Sequence, residues 1–79
     1  DMIPRIQEIR EEAVTDLNLR LHKILHKLPL SEQEKEELSQ AIDTAAGKVV
    51  TKMIFGLRDT LDQREFADCV KGLEKLYEE

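Results

Sequence analysis

The chain has 79 residues, a formal net charge of −5 and a content of charged residues of 37%. This length is enough for one domain and no more, and the negative charge argues against DNA or other nucleic acid as the main partner. No apolar run approaches the roughly 18 residues that a membrane span needs, so no membrane role is expected. Aromatic residues are scarce, whereas Leu, Ile, Ala, Glu and Lys are abundant, which favours helix over strand.

Cys69 is the only cysteine, so the chain cannot form an internal disulfide. Small domains of this size often gain stability from a disulfide, a metal or a partner chain, and a partner chain therefore has to be considered. The lone thiol also fits a reducing, cytoplasmic setting. Because the chain opens with Asp1 rather than Met, we interpret it as a segment of a larger protein.

The first predicted helix covers residues 3–27. Asp1 is its expected N-cap, and Pro4 is compatible with a first turn. At ~1.5 Å per residue this helix spans roughly 38 Å, more than the ~30 Å diameter of a compact globule of this size. A single chain of this size therefore cannot cover the whole length of this helix. Apolar residues recur along it at helical spacing: Ile6, Ile9, Ala13, Leu17, Leu21, Ile24 and Leu28.

The second predicted helix covers residues 32–55, after a turn at Pro29. Ser31 and Glu34 form a capping box at its start, and Gly56 is its expected C-cap. Apolar residues stand along it in adjacent pairs, which gives a face broader than one neighbouring helix covers. These pairs are Ala41/Ile42, Ala45/Ala46, Val49/Val50 and Met53/Ile54.

The third predicted helix covers residues 63–78 and starts with a second capping pair, Asp62 and Glu65. Residues 57–61 are ambiguous, because they fit either a turn or a stretch through which the second and third helices run together. The apolar side of the third helix consists of Phe66, Val70, Leu73, Leu76 and Tyr77.

Two all-α architectures satisfy these patterns. In the first, the three-helix subunit pairs with a second copy into a six-helix dimeric bundle, which covers both the long first helix and the broad face. In the second, a monomeric three-helix bundle leaves the far part of the first helix exposed. We favour the dimer, and its expected interface consists of Ile42, Ala45, Val49, Val50, Met53, Ile54 and Leu57.

No residue pattern indicates an active site, a cofactor site or a metal site. Cys69 has no base close in sequence that would activate a thiol. His22 and His26 stand four apart on a helix and could reach one ion, but no third and fourth ligand of a structural zinc site stand out. Acidic residues lie on polar helix faces, and the three glycines are isolated, so no phosphate-binding loop is present.

Four short segments resemble one known family. Residues 3–13 are similar to its apolar segment followed by an acid-rich stretch, and residues 28–31 are similar to its inter-helix turn. Residues 49–54 resemble its Val-Asn-Lys-Leu-Leu pattern, which a Leu-Arg pair follows, and residues 73–77 resemble its terminal Leu-x-x-Leu-Phe. The family is the C-terminal dimerisation domain of glutamyl-tRNA reductase. Phe55 and Gly56 depart from the pattern, because the family usually has a His and a Pro there.

The resemblance implies that residues 1–79 are a single dimerisation domain of a cytoplasmic enzyme. That enzyme uses NADPH to make glutamate-1-semialdehyde from glutamyl-tRNA for tetrapyrrole (haem and other porphyrin) biosynthesis. The resemblance places the catalytic cysteine and the NADPH site upstream, so it gives Cys69 no role. Three alternatives stay open: a free-standing helical adaptor for an amphipathic helix, a metal-dependent helical protein using His22 and His26, and a small tRNA-contacting basic patch.

Overall fold

The computed structural model describes residues 1–78, which form three α-helices joined by short turns. They are α1 (Ile3–Lys27), α2 (Glu32–Thr60) and α3 (Gln63–Leu76), and this range contains no strand. The all-α prediction is confirmed. Asn18 meets Asp43, and Arg10 lies over Gly47. As the residue number falls from 18 to 10 along α1, the number of its neighbour on α2 rises from 43 to 47, so these two helices are antiparallel.

Both predicted capping boxes are present at the starts of α2 and α3. The Ser31 hydroxyl accepts from the Glu34 amide at 3.1 Å, and the Ser31 amide donates to the Glu34 carboxylate at 2.9 Å. Asp62 and Glu65 make the same reciprocal pair at 2.8 and 3.1 Å. Each box satisfies two backbone N–H groups that the start of a helix otherwise leaves unpaired, and so it fixes where the helix begins.

The end of α2 differs from the prediction, because the helix continues to Thr60 and Gly56 does not cap it. No glycine among residues 1–78 has a positive φ, the conformation through which a glycine usually ends a helix. The Thr60 hydroxyl donates to the Gly56 carbonyl at 3.0 Å. The helix ends at Thr60. The next residue, Leu61, has an extended backbone and leads into Asp62, the N-cap of α3.

Two smaller differences concern the outer helix ends. The N-cap of α1 is Met2, not Asp1, although the Asp1 carboxylate accepts from the Ile3 amide at 3.2 Å and so still satisfies one free N–H group. At the other end, α3 stops at Leu76, two residues before the predicted end. Tyr77 leaves the helical conformation there, with φ of −106° and ψ of 6°.

The hydrophobic core lies at one end of the molecule, where the start of α1, the end of α2 and the middle of α3 meet. Its buried side chains are Ile6, Ile9, Ile54, Phe66 and Val70. From residue 13 onward, no apolar side chain of α1 is buried within the described chain, and Ile24 is mostly exposed. The apolar stripe predicted for α1 is therefore split: its first turns are in the core, and the rest is covered only in part.

The molecule is elongated, with principal extents of 48 × 26 × 17 Å and a radius of gyration of 15.1 Å. A compact chain of 79 residues has a radius of gyration near 12 Å by the usual scaling. The excess arises because α3, with 14 residues, is much shorter than α1 and α2, with 25 and 29. Much of the hairpin that α1 and α2 form is therefore left without a third helix.

Candidate protein–protein interface

An unpartnered apolar ridge runs along the outside of α2. Every fourth residue on it is apolar and exposed, and large side chains occupy its second half. We term this ridge the α2 stripe, and it consists of Ala41, Ala45, Val49, Met53 and Leu57. Residues at a spacing of four form one of the ridges by which helices pack against each other. The stripe therefore has the geometry of a helix-packing surface, and within residues 1–78 its Val49 and Met53 side chains stay mostly exposed, at 58% and 64%.

The seven predicted interface residues do not all belong to this surface. Ala45, Val49, Met53 and Leu57 are exposed and lie on the α2 stripe. Ile54 is only 3% exposed and belongs to the core of its own chain, where Val50 packs against it. Ile42 is half-buried. The adjacent apolar pairs thus divide: one member of each pair faces the subunit interior or its edge, and the other faces outward.

The rotation of α2 about its own axis is set by its contacts with α1. Gly47 is buried, and a Cβ atom placed on it would lie 3.4 Å from the Arg10 Nε atom. The Asn18 side-chain amide donates to the Asp43 carboxylate. Residues 43 and 47 are one helical turn apart and so share the face of α2 that meets α1. With that face fixed, Val49 and Met53 are directed away from α1.

An ion pair ties the start of α1 to the end of α3. The Arg5 guanidinium donates to both carboxylate oxygens of Glu74, at 2.9 and 2.5 Å. The hydrogen bond from Arg5 holds the pKa of Glu74 below its ordinary value, while the same bond raises the pKa of Arg5. This bidentate pair closes the core end of the bundle, and it supports the subunit rather than the α2 stripe.

The exposed surface of the chain is larger than that of a compact monomer. Its accessible area is 6362 Å², whereas a compact protein of its 9.2 kDa mass exposes about 4,900 Å², roughly 1,400 Å² less. If two copies each buried that excess, the contact would total about 2,800 Å², within the range of obligate homodimers. The excess exposed area is therefore large enough for a stable dimer contact.

The residues considered for chemistry do not form a reactive site. The rings of His22 and His26 stack, with centroids 6.2 Å apart, but among residues 1–78 no group of three His, Cys, Asp or Glu side chains could hold a metal ion. Cys69 is free and half-buried. No described helix is long and apolar enough to cross a bilayer.

Comparison with known proteins places the whole chain in one family. The family model of the glutamyl-tRNA(Glu) reductase dimerisation domain matches residues 1–79. No match was found among curated proteins or among solved structures. Because the family model covers the chain from end to end, the chain belongs to the glutamyl-tRNA reductase dimerisation-domain family, and the resemblance seen in its sequence is confirmed.

Proposed function

We propose that this chain, as a member of that family, joins two subunits of a glutamyl-tRNA reductase into a homodimer through the α2 stripe. The observation that carries the proposal is the exposed ridge of Val49, Met53 and Leu57 on a domain whose family is defined by dimerisation. Large apolar side chains in the middle of a contact usually supply most of its binding free energy. The three side chains are large, apolar and exposed, which supports this role.

The parent enzyme of this proposal reduces glutamyl-tRNA to glutamate-1-semialdehyde with NADPH, in the cytoplasm, as an early step of tetrapyrrole biosynthesis. NADPH and the tRNA bind to other parts of that enzyme. The role of residues 1–79 is to hold two such subunits in a fixed relation, and no side chain of this segment takes part in the reaction.

The α1–α2 hairpin supports the proposal on physical grounds. From residue 13 onward, no apolar side chain of α1 is buried within residues 1–78, and a third element normally covers the remaining face of such a helix pair. In a dimer, helices of the second copy supply that cover. The α2 stripe and the half-covered part of α1 are then explained by one partner.

The test is the solution mass of the chain, measured by light scattering over a dilution series into the low micromolar range. We expect about twice 9.2 kDa, and we expect Val49→Asp to give a monomer, because the substitution buries two unpaired carboxylates in a symmetric contact. The control is Lys71→Asp, at an exposed position on α3. A wild-type chain that is monomeric at every concentration would exclude the dimer and favour the adaptor alternative.

The reaction of the parent enzyme needs its own assay. The full-length protein that contains this segment is incubated with glutamyl-tRNA and NADPH, and oxidation of the cofactor is followed together with the release of tRNA. We expect turnover. A dimeric parent protein without turnover would leave the dimerisation role standing and remove the reductase assignment.

A further inference from the structure

A second open surface lies between the middle of α1 and the end of α3 at Leu76. This α1/α3 groove has a volume of about 770 Å³. Two large apolar side chains in it are mostly exposed: Leu19 is 72% exposed and Leu76 is 71% exposed. The other lining residues are Glu11, Glu12, Thr15, Asp16, Arg20 and Tyr77.

The rim of the α1/α3 groove is acidic. Glu11 and Glu12 form no ion pair within residues 1–78, whereas Asp16 is paired with Arg20 at 2.9 Å. Two uncompensated carboxylates therefore stand beside the two exposed leucines. A surface with this character is complementary to an apolar ridge with lysines along its edge.

The α2 stripe of the same chain is a ridge of that kind. Lys48 and Lys52 are exposed and form no ion pair within the described residues. At about 100° per residue, Lys48 stands roughly 60° from Ala45 around the helix, and Lys52 stands roughly 60° from Val49. Both ammonium groups therefore border the apolar side chains of the stripe.

We propose that, in the dimer, the α2 stripe of each subunit docks in the α1/α3 groove of the other, with Lys48 and Lys52 opposite Glu11 and Glu12. This inference rests on the proposed homodimer and specifies its contact. A two-fold axis makes the same contact twice, so both stripes and both grooves are covered together. The occupant of the groove is thus a second copy of this chain.

Charge distinguishes this arrangement from a stripe packed directly on its own copy about a two-fold axis at residue 49. That alternative brings Lys48 and Lys52 of one copy next to the same lysines of the other, and like charges in a contact are unfavourable. It also leaves Leu19, Leu76 and the two free carboxylates uncovered. The reciprocal arrangement pairs opposite charges and covers both leucines.

The test uses two double charge reversals and their combination in the full chain. The first variant is Lys48→Glu with Lys52→Glu, and the second is Glu11→Lys with Glu12→Lys. In a homodimer of either variant, like charges face each other at both contacts. We expect each variant alone to dimerise at least roughly tenfold more weakly than the wild type, because like charges that face each other across a contact disfavour it.

Restoring the charge pairing should restore the dimer. An equimolar mixture of the two variants should form a heterodimer of near wild-type affinity, because both of its contacts regain opposite charges. A single chain carrying all four substitutions should form a homodimer for the same reason. The control is Arg64→Glu with Lys71→Glu on exposed residues of α3, which changes the charge as much as the Lys48/Lys52 variant does and should leave the dimer intact.

Masses are read by light scattering, and circular dichroism checks that each variant is helical. Rescue in the mixture and in the fourfold variant supports the reciprocal contact. If the wild type is a dimer and neither double variant weakens it, the reciprocal contact is overturned but the homodimer is not. The same holds if the variants are weakened and their mixture forms no heterodimer. A monomeric wild-type chain overturns the homodimer itself, and the contact with it.

Discussion

Met53→Ala is the most direct probe of the α2 stripe, because the side chain is large, exposed and adjacent in sequence to a core residue. Met53 is 64% exposed in the single chain, whereas Ile54 is 3% exposed. Complete burial of a methionine side chain contributes about 1.5–3 kcal/mol. The exposed share of Met53 therefore offers a partner about 1–2 kcal/mol.

A symmetric dimer loses this contribution twice. Met53→Ala should then weaken dimerisation by about 2–4 kcal/mol, which corresponds to an increase in Kd of roughly thirtyfold to several hundredfold. Alanine favours helix at least as well as methionine, so the helical content of the subunit should not fall for local reasons.

Sedimentation equilibrium over nanomolar to micromolar concentrations measures this Kd. Ile3→Ala is the matched control, because Ile3 is also an exposed large apolar residue but lies at the first turn of α1, away from the stripe. An unchanged Kd for Met53→Ala, or an equal change for Ile3→Ala, would refute the assignment of the stripe to the dimer contact.

Three further substitutions test the subunit itself. Phe66→Ala removes a buried core side chain and should lower the free energy of unfolding by about 3–5 kcal/mol in urea denaturation; a loss below about 1 kcal/mol would contradict the core assignment. Gly72→Ala lies in α3, where a new Cβ would meet no atom within 4 Å beyond its chain neighbours and its own helix backbone. It should raise Tm by roughly 4–8 °C for about 1 kcal/mol, whereas a lower Tm would show a hidden contact. A hydrogen bond from the Ser31 backbone lowers the pKa of Glu34, and one from Arg5 lowers the pKa of Glu74. The stability that these two carboxylates contribute is complete above the ordinary carboxylate pKa of about 4.3 and is lost as pH falls through the lowered values. Glu34→Gln should flatten the fall of Tm in that acid range, and a wild-type Tm that is constant down to pH 2 would contradict this linkage.

Local signals in the sequence were sufficient to predict where the helices begin. Ser31 with Glu34 and Asp62 with Glu65 are reciprocal hydrogen-bonded pairs within one turn, and such pairs depend on no distant contact. The second helix was predicted over residues 32–55 with residues 57–61 left open, because Gly56 was interpreted as a cap, whereas α2 continues to Thr60. A glycine ends a helix only where the backbone becomes left-handed, and at Gly56 it does not.

The composition of the α2 surface was predictable, but its orientation was not. Adjacent pairs such as Val49/Val50 and Met53/Ile54 indicate a broad apolar face, yet the sequence does not tell which member of each pair faces the interior. That choice depends on the contacts of Gly47 with Arg10 and of Asp43 with Asn18, which join residues far apart in the chain. For the same reason, the α1/α3 groove, formed where α3 ends at Leu76, was missed.

Because the core lies at one end of the molecule, amide hydrogen exchange should differ between the two ends of the α1–α2 hairpin. Ile6, Ile54 and Val70 lie in the core, whereas Ile24 and Leu38 are not buried. We therefore expect amides near the first three to exchange only on global unfolding, and those near the last two to exchange through local opening. Hydrogen–deuterium exchange should therefore be slow at the core end and fast at the turn between α1 and α2 in dilute solution. Association should slow exchange mainly where the partner packs, along the α2 stripe and the α1/α3 groove, so that the partner chain extends the cooperative unit of each subunit.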